Sequence, residues 1–285
     1  MPEIKSLTGV SFADIHQAFA NAFSDYAEPW DKTVDEIQYM LERRGYNADL
    51  SFGTFENGGI VSFMLNGTCM WNGKLTAYDM GTGTVPEFRR QGLAEKIFNV
   101  VAKELKTAGI EQYLLEVIRV NTKAIDLYKK QRFETIRELD YYITTTGEIS
   151  IQPANNMNIE FRITDHPDWN SFQGFWSFSP SWQNSIAAVN RKLKHFQIVG
   201  AYTNDELAGY GIIEKHTGDI PQLAVAEKFR RQGVATALFA ELLKYIDTTV
   251  VRVLNADASY APFRNFMKNI GVQPGYGQYE MLLAL

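Results

Sequence analysis

The chain has 285 residues, 45% hydrophobic and 21% charged, with one cysteine and a formal net charge of −5. These proportions describe a folded globular protein and exclude a disordered chain, a collagen and a coiled coil. No apolar run nears the roughly 18 residues of a membrane span. The first ten residues lack the basic-then-apolar pattern of a signal peptide. A cytoplasmic protein of two domains is expected.

Charge divides unevenly. Residues 1–150 hold 16 Lys/Arg and 21 Asp/Glu, a net of −5, whereas residues 151–285 hold 12 of each. The acidic half suits a cationic ligand, and neither half has the basic surplus of a nucleic-acid binder; a soluble surface explains −5 equally well.

In chain order, Phe12 to Phe23 sets Ile15, Phe19, Ala22 and Phe23 on one helical face. Thr33 and Glu36 form a capping box for a second helix that stops at Gly45. Strands follow at Leu50–Phe55, at Ile60–Leu65 after Asn57-Gly58-Gly59, and at Leu75–Val85 after Asn72-Gly73. A helix over Gly92–Ala108 is expected to bury Leu93, Ile97, Val100, Val101 and Leu105. Tyr113–Ile118 reads as a strand, Asn121 caps a helix running to about Arg132, and Glu138–Thr144 closes as a strand. The pattern predicts an α/β fold with a mixed sheet.

That order occurs twice. Phe88-Arg89-Arg90-Gln91-Gly92-Leu93-Ala94 returns 141 residues later as Phe229-Arg230-Arg231-Gln232-Gly233-Val234-Ala235. A period this long means duplicated domains. The polar stretch Thr144–Asn158 is the expected junction, with domains at 1–148 and 156–285. In each copy a strand ends and a helix begins at the Arg-Arg-Gln-Gly turn. The first helical amides lack internal partners and carry the positive end of the macrodipole. Small residues there let an anion approach, and arginines add charge-assisted hydrogen bonds. The turn reads as a phosphate or pyrophosphate seat, without the signatures of nucleotide hydrolysis or dinucleotide binding.

R-x-x-G-x-A between strand and amphipathic helix resembles the coenzyme A loop of the GCN5-related N-acetyltransferases (GNAT). Leu115-Glu116-Val117, then Asn121, Ala124, Leu127 and Tyr128, then Phe133, resembles the later motif of the ribosomal-protein N-terminal acetyltransferases in that superfamily. Arg132 stands where the family usually has Gly. The resemblance implies two tandem acyl-CoA N-acyltransferase domains using acetyl-CoA. Their partner would be a small-molecule or peptide amine, without nucleic acid or membrane. The chain would be an internal pseudo-dimer, expected as a monomer, with a homo-oligomer as the other arrangement.

Carried onto this chain, the resemblance makes Glu116 the base and Tyr128 the acid that protonates the leaving thiolate. Apolar neighbours of Glu116 suit a base. Thr82, Gly83, Thr84, Arg89, Arg90, Gln91, Gly92, Leu93, Ala94 and Asn121 become the coenzyme A contacts, and Arg230, Arg231, Gln232, Gly233 and Ala235 a second seat. Asp79 competes as base but is expected to face away, because Tyr78 matches the family's strand position better. The loop Ser24–Lys32 brings Tyr26, Glu28 and Trp30, beside Asp25 and Asp31, to the acceptor; an ordinary polar turn is the equal alternative.

Matching Phe133 with Val272 sets an offset of 139 for the last motif. Glu116 then falls on Asn255, Asn121 on Tyr260 and Tyr128 on Met267, so the second copy is expected to be degenerate. A non-catalytic acyl-CoA sensor, or catalysis in the second domain, are the alternatives. The four histidines show no metal spacing, and no metal is expected. Cys69 reads as a strand core residue rather than a nucleophile, and the aromatics from Trp169 to Trp182 as helix packing, with a ligand cage or a domain interface as the alternatives.

Overall fold

The computed structural model describes residues 3–25, 31–151 and 158–285. Its elements are β1 (Glu3–Ser6), α1 (Phe12–Ala22), α2 (Val34–Arg44), β2 (Phe52–Glu56), β3 (Gly59–Trp71), β4 (Lys74–Thr84), α3 (Leu93–Thr107), β5 (Gln112–Ile118), α4 (Thr122–Lys130) and β6 (Glu134–Thr145). They continue as β7 (Glu160–Ile163), α5 (Trp169–Gln173), α6 (Ile186–Arg191), β8 (Phe196–Thr203), β9 (Glu206–Glu214), β10 (Gln222–Val225), α7 (Val234–Leu242), β11 (Val250–Asp257), α8 (Ala261–Asn269) and β12 (Gln278–Ala284). The architecture is mixed α/β, as the alternation of patterns predicts.

Local chemistry explains the boundaries. Ser11 Oγ accepts from the Asp14 amide at 3.1 Å to start α1. The Thr33/Glu36 capping box starts α2, and Gly45 ends it at φ 85°. Strand β3 runs past its predicted end at Leu65, through Asn66-Gly67 to Trp71. Gly67 is a point of close approach, where a Cβ would lie 2.6 Å from the Arg44 carbonyl. Four-residue β1 is too short to show an alternation. It pairs with β2, Glu3 opposite Phe55.

The chain forms two compact units. One contains residues up to Glu116, with Tyr128–Glu134 and Met281–Leu285. Its strands lie in the order β1-β2-β3-β4-β5, with the end of β12 next. Leu285 N donates to the Glu111 carbonyl at 3.0 Å, fastening the last residues. β4 and β5 pair in parallel only from Thr76/Gln112 to Asp79/Leu115. The β3–β4 register shifts immediately after Asp79, leaving Met80 without a pairing partner. A bulge bends its strand, and beyond it β4 and β5 no longer pair.

The other unit contains Val117–Leu127 and Thr135–Glu280. Its four-stranded sheet is ordered β10-β9-β8-β7, while β6 pairs antiparallel with β11. β10 and β11 line a cavity, and the segment leading into β10 meets β11 at an isolated parallel bridge, Asp219 with Arg252. Its core gathers Val199, Ile213, Leu238, Phe239, Leu242 and Val251.

Two expectations are corrected here. The aromatics from Trp169 to Trp182 do not form a packed helix, because α5 spans only five residues. Phe172 and Trp182 are buried, Phe172 stacking on Tyr210 at 3.9 Å. Trp176 and Phe178 lie in a loop that lines a cavity. Cys69 is half-buried rather than core.

Candidate active site

The repeated turn is built twice with the same bonds. Arg89 Nε donates to the Thr84 carbonyl at 3.0 Å, and Arg230 Nε to the Val225 carbonyl at 3.0 Å, each five residues back. Gln91 Nε2 donates to Glu87 O at 3.2 Å, and Gln232 Nε2 to Lys228 O at 2.8 Å. Arg90 and Arg231 take φ of 62° and 63°, Gly92 and Gly233 of 73° and 89°. The left-handed positions turn the chain so that α3 and α7 start with no side-chain cap. Amides arranged this way form an anion-binding concavity. A Cβ on Gly92 would meet nothing within 4 Å, so the space above the turn is open. Such a donor set fits a pyrophosphate.

The two arginines divide their work. Arg89 does not point at an anion. Besides Thr84 it donates to the Ala22 carbonyl at 2.8 Å and to both Asp25 oxygens at 2.6 and 2.8 Å, and its guanidinium holds the Asp25 carboxyl below its ordinary range. It therefore ties the turn to the end of α1, and Asp25 is engaged there. Arg90 and Gln91 are exposed, Leu93 is buried and Ala94 half-buried. Tyr26, Glu28 and Trp30 lie outside the described residues.

Two hydrogen-bond pairs lie where the β4–β5 pairing ends. Tyr78 and Asp79 are consecutive on β4, so their side chains leave on opposite faces. On one face the Tyr78 hydroxyl donates to Glu116 Oε2 at 2.8 Å, and Tyr78's own ionisation is pushed well up, by burial first and then by the Glu116 charge. On the other face Asp79 accepts from Thr82 Oγ1 at 2.7 Å, the Gly81 amide at 2.9 Å and the Tyr128 hydroxyl at 3.4 Å. Burial pushes the Asp79 carboxyl up to about 6 against those bonds, which pull it down. Glu116 and Tyr128 thus belong to separate hydrogen-bond pairs. Asp79, expected to face away, is the carboxylate bonded by the Tyr128 hydroxyl; the signal available in sequence was an acid between Tyr78 and Met80 just before Gly81. Thr84 also shares a 2.7 Å hydrogen bond with Ser62, and Gly83 packs closely on Phe63. Asn121 Oδ1 accepts from the Ala124 amide at 3.2 Å, capping α4.

The second unit repeats the scaffold with other side chains. α8 lies 139 residues after α4 at both ends. Phe133 N bonds the Tyr128 carbonyl at 3.0 Å, as Val272 N bonds that of Met267 at 2.9 Å. Arg132 and Gly271 share a left-handed φ of 69° and 87°. Offset 139 places Asn255 opposite Glu116, and Asn255 sits at a β11 bulge with φ 58°. Offset 141, which the arginine clamps keep, places buried Ile220 opposite Asp79. An apolar pair, Ile220 and Met267, replaces Asp79 and Tyr128.

Residues 13–133 match a model described as the acetyltransferase (GNAT) family, and residues 171–265 one described as the acetyltransferase (GNAT) domain. An acetyltransferase of Pectobacterium atrosepticum is 29% identical over 112 residues, 39% of this chain and 74% of that protein. The ribosomal protein bS18-alanine N-acetyltransferase of Escherichia coli K12 is 25% identical over 146 residues, 50% of this chain and 91% of that one. Among solved structures, a tandem GNAT protein from the clavulanic acid biosynthesis pathway has a TM-score of 0.74 at 12% identity, covering 100% of this chain and 98% of its own. A GCN5-related N-acetyltransferase from Sphaerobacter thermophilus has a TM-score of 0.73 at 14% identity, covering 99% and 95%. These structures share the fold across both halves.

Proposed function

Because this chain belongs to the GNAT acetyltransferase family, we propose that it moves an acetyl group from acetyl-coenzyme A to a primary amine, with the chemistry in its first half. The observation that supports this is asymmetry between the copies: the turn keeps its Arg and Gln bonds to the backbone in both, while Glu116, Asp79 and Tyr128 have counterparts, Asn255, Ile220 and Met267, with no titratable group.

When bound, acetyl-coenzyme A supplies an activated acyl group for direct attack in a ternary complex. The amides around Gly92 and Ala94, with exposed Arg90 and Gln91, hold its pyrophosphate. Arg89 keeps that turn in shape through Thr84, Ala22 and Asp25. The free edge of β4 at Thr82–Thr84 aligns the pantetheine arm. Glu116 Oε accepts the proton of the attacking ammonium, its carboxylate oriented by Tyr78. The Tyr128 hydroxyl donates its proton to the departing sulfur, and Asp79 acts as the positioning residue beneath it. The acceptor is a small molecule or peptide; the bS18-alanine relative makes a peptide N-terminus the first candidate to assay.

Coenzyme A release over a panel of amines and peptides tests this. Glu116→Gln and Tyr128→Phe should each lower kcat by about 10²–10⁴-fold, the usual weight of one general acid or base. Arg230→Ala should leave first-half turnover within about threefold, since removing one side chain far from the chemistry costs little. Abolition by Arg230→Ala with Glu116→Gln fully active would transfer the chemistry to the second half. Thioester binding without turnover on any amine would support the sensor reading.

A further inference from the structure

The second unit encloses a cavity of about 620 Å³, a size that surrounds most of a drug-sized ligand. One end is the Arg230–Gly233 turn, where Arg231 is exposed and α7 begins. β10 and β11 supply two walls, and the rings of Phe175, Trp176, Phe178, Tyr260 and Phe263 supply much of the remainder. Four polar side chains of the wall, Trp176, Tyr210, Gln222 and Asn184, are engaged in one hydrogen-bond chain. Trp176 Nε1 donates to the Tyr210 hydroxyl at 2.6 Å, and that hydroxyl donates to Gln222 Oε1 at 2.7 Å. Gln222 Nε2 donates to the Asn184 carbonyl at 2.7 Å, and Asn184 Nδ2 to the Leu254 carbonyl at 2.6 Å. What remains for an occupant is largely ring and methyl surface.

Charge narrows the class of occupant. Among the described lining residues there is no Asp, Glu, Lys or His; the formal charges are those of Arg230 and Arg231, both at the turn. A cationic amine entering here would lose water without gaining a counter-charge. An anionic head with an uncharged apolar body meets complementary chemistry at both ends.

We propose that this cavity binds coenzyme A thioesters of bulky, uncharged acyl groups, aromatic or branched, with the anionic head at the Arg231–Gly233 turn and the acyl group among the rings. The proposal rests on the reading of the repeated turn as a coenzyme A seat. No group transfer is involved, since Asn255 and Met267 stand where a base and an acid would be needed. The site recognises its ligand and leaves it intact.

Calorimetric titration of the full chain tests this. The chain carries Gly92→Asp to block the first turn, Asp being tolerant of a left-handed φ. The probes are coenzyme A, acetyl-coenzyme A and phenylacetyl-coenzyme A. Burying one ring should make phenylacetyl-coenzyme A bind about tenfold or more tighter than acetyl-coenzyme A. Phe178→Asp should abolish that preference, and Tyr260→Ala, a milder change with less risk to folding, should reduce it. Equal affinities in the Gly92→Asp chain, or a preference unmoved by both further substitutions, would overturn the proposal. Failure of coenzyme A itself to bind would overturn the underlying reading of the turn, whereas binding without acyl preference would overturn this inference alone.

Discussion

Asp79 concentrates the residue-scale argument. Its carboxyl is pushed by burial from an ordinary 3.8 to about 6. Between those values the folded chain holds a proton that the unfolded chain has released, so stability declines as pH rises through that window. The wild type should therefore lose about 1–3 kcal/mol between pH 4 and pH 7 relative to Asp79→Asn, measured as the pH dependence of urea unfolding for the two proteins. Buried Glu214, pushed from 4.5 to about 7 by desolvation, slopes the same way in both and cancels in the comparison. Glu116 and Tyr128 were legible as residues, because their motif is a linear spacing. Their partners were not. Which of two adjacent β4 side chains meets Glu116 and which meets Tyr128 depends on the strand's face, and a one-residue change of register exchanges the two.

At the scale of elements, the turn before each helix is a device in which side chains support backbone. Arg89 fastens three carbonyl or carboxylate partners, so replacing it should loosen the amides of the proposed anion seat. Arg89→Met is expected to raise KM for acetyl-coenzyme A by about tenfold, the loss of roughly one charge-assisted hydrogen bond, with a smaller change in kcat; steady-state kinetics separates the two. The sequence read this arginine as an anion ligand because a linear motif does not reveal that Asp25 folds back beside it. Arg132 makes a complementary case. It occupies a left-handed position that the second copy fills with Gly271, and a side chain there costs about 1–2 kcal/mol against glycine's greater freedom when unfolded. Arg132→Gly should stabilise the first unit by about 0.5–1 kcal/mol, visible as a higher thermal midpoint.

Across the whole molecule, the compact units interleave along the chain: Met281–Leu285 belongs with the residues before Glu116, and Val117–Leu127 with those after Thr135. Deleting Met281–Leu285 should therefore destabilise the first unit, although those residues close the second copy in sequence. Removal of its strand partner at Glu111 is expected to cost about 1–3 kcal/mol, followed by hydrogen exchange of the β5 amides. Duplication, the mixed α/β class, the helix caps at Thr33 and Asn121 and the twice-built Arg-Arg-Gln-Gly turn all follow from the amino-acid order, because periodicity, capping and turn chemistry act over a few residues and leave a linear trace. The exchange of end segments, the pairing of Asp79 with Tyr128, the clamp of Arg89 on Asp25 and the aromatic cavity of the second unit were decided by tertiary structure alone. Each joins groups between about 50 and 170 residues apart, or depends on which face of a strand a side chain takes, and only long-range packing selects among such encounters.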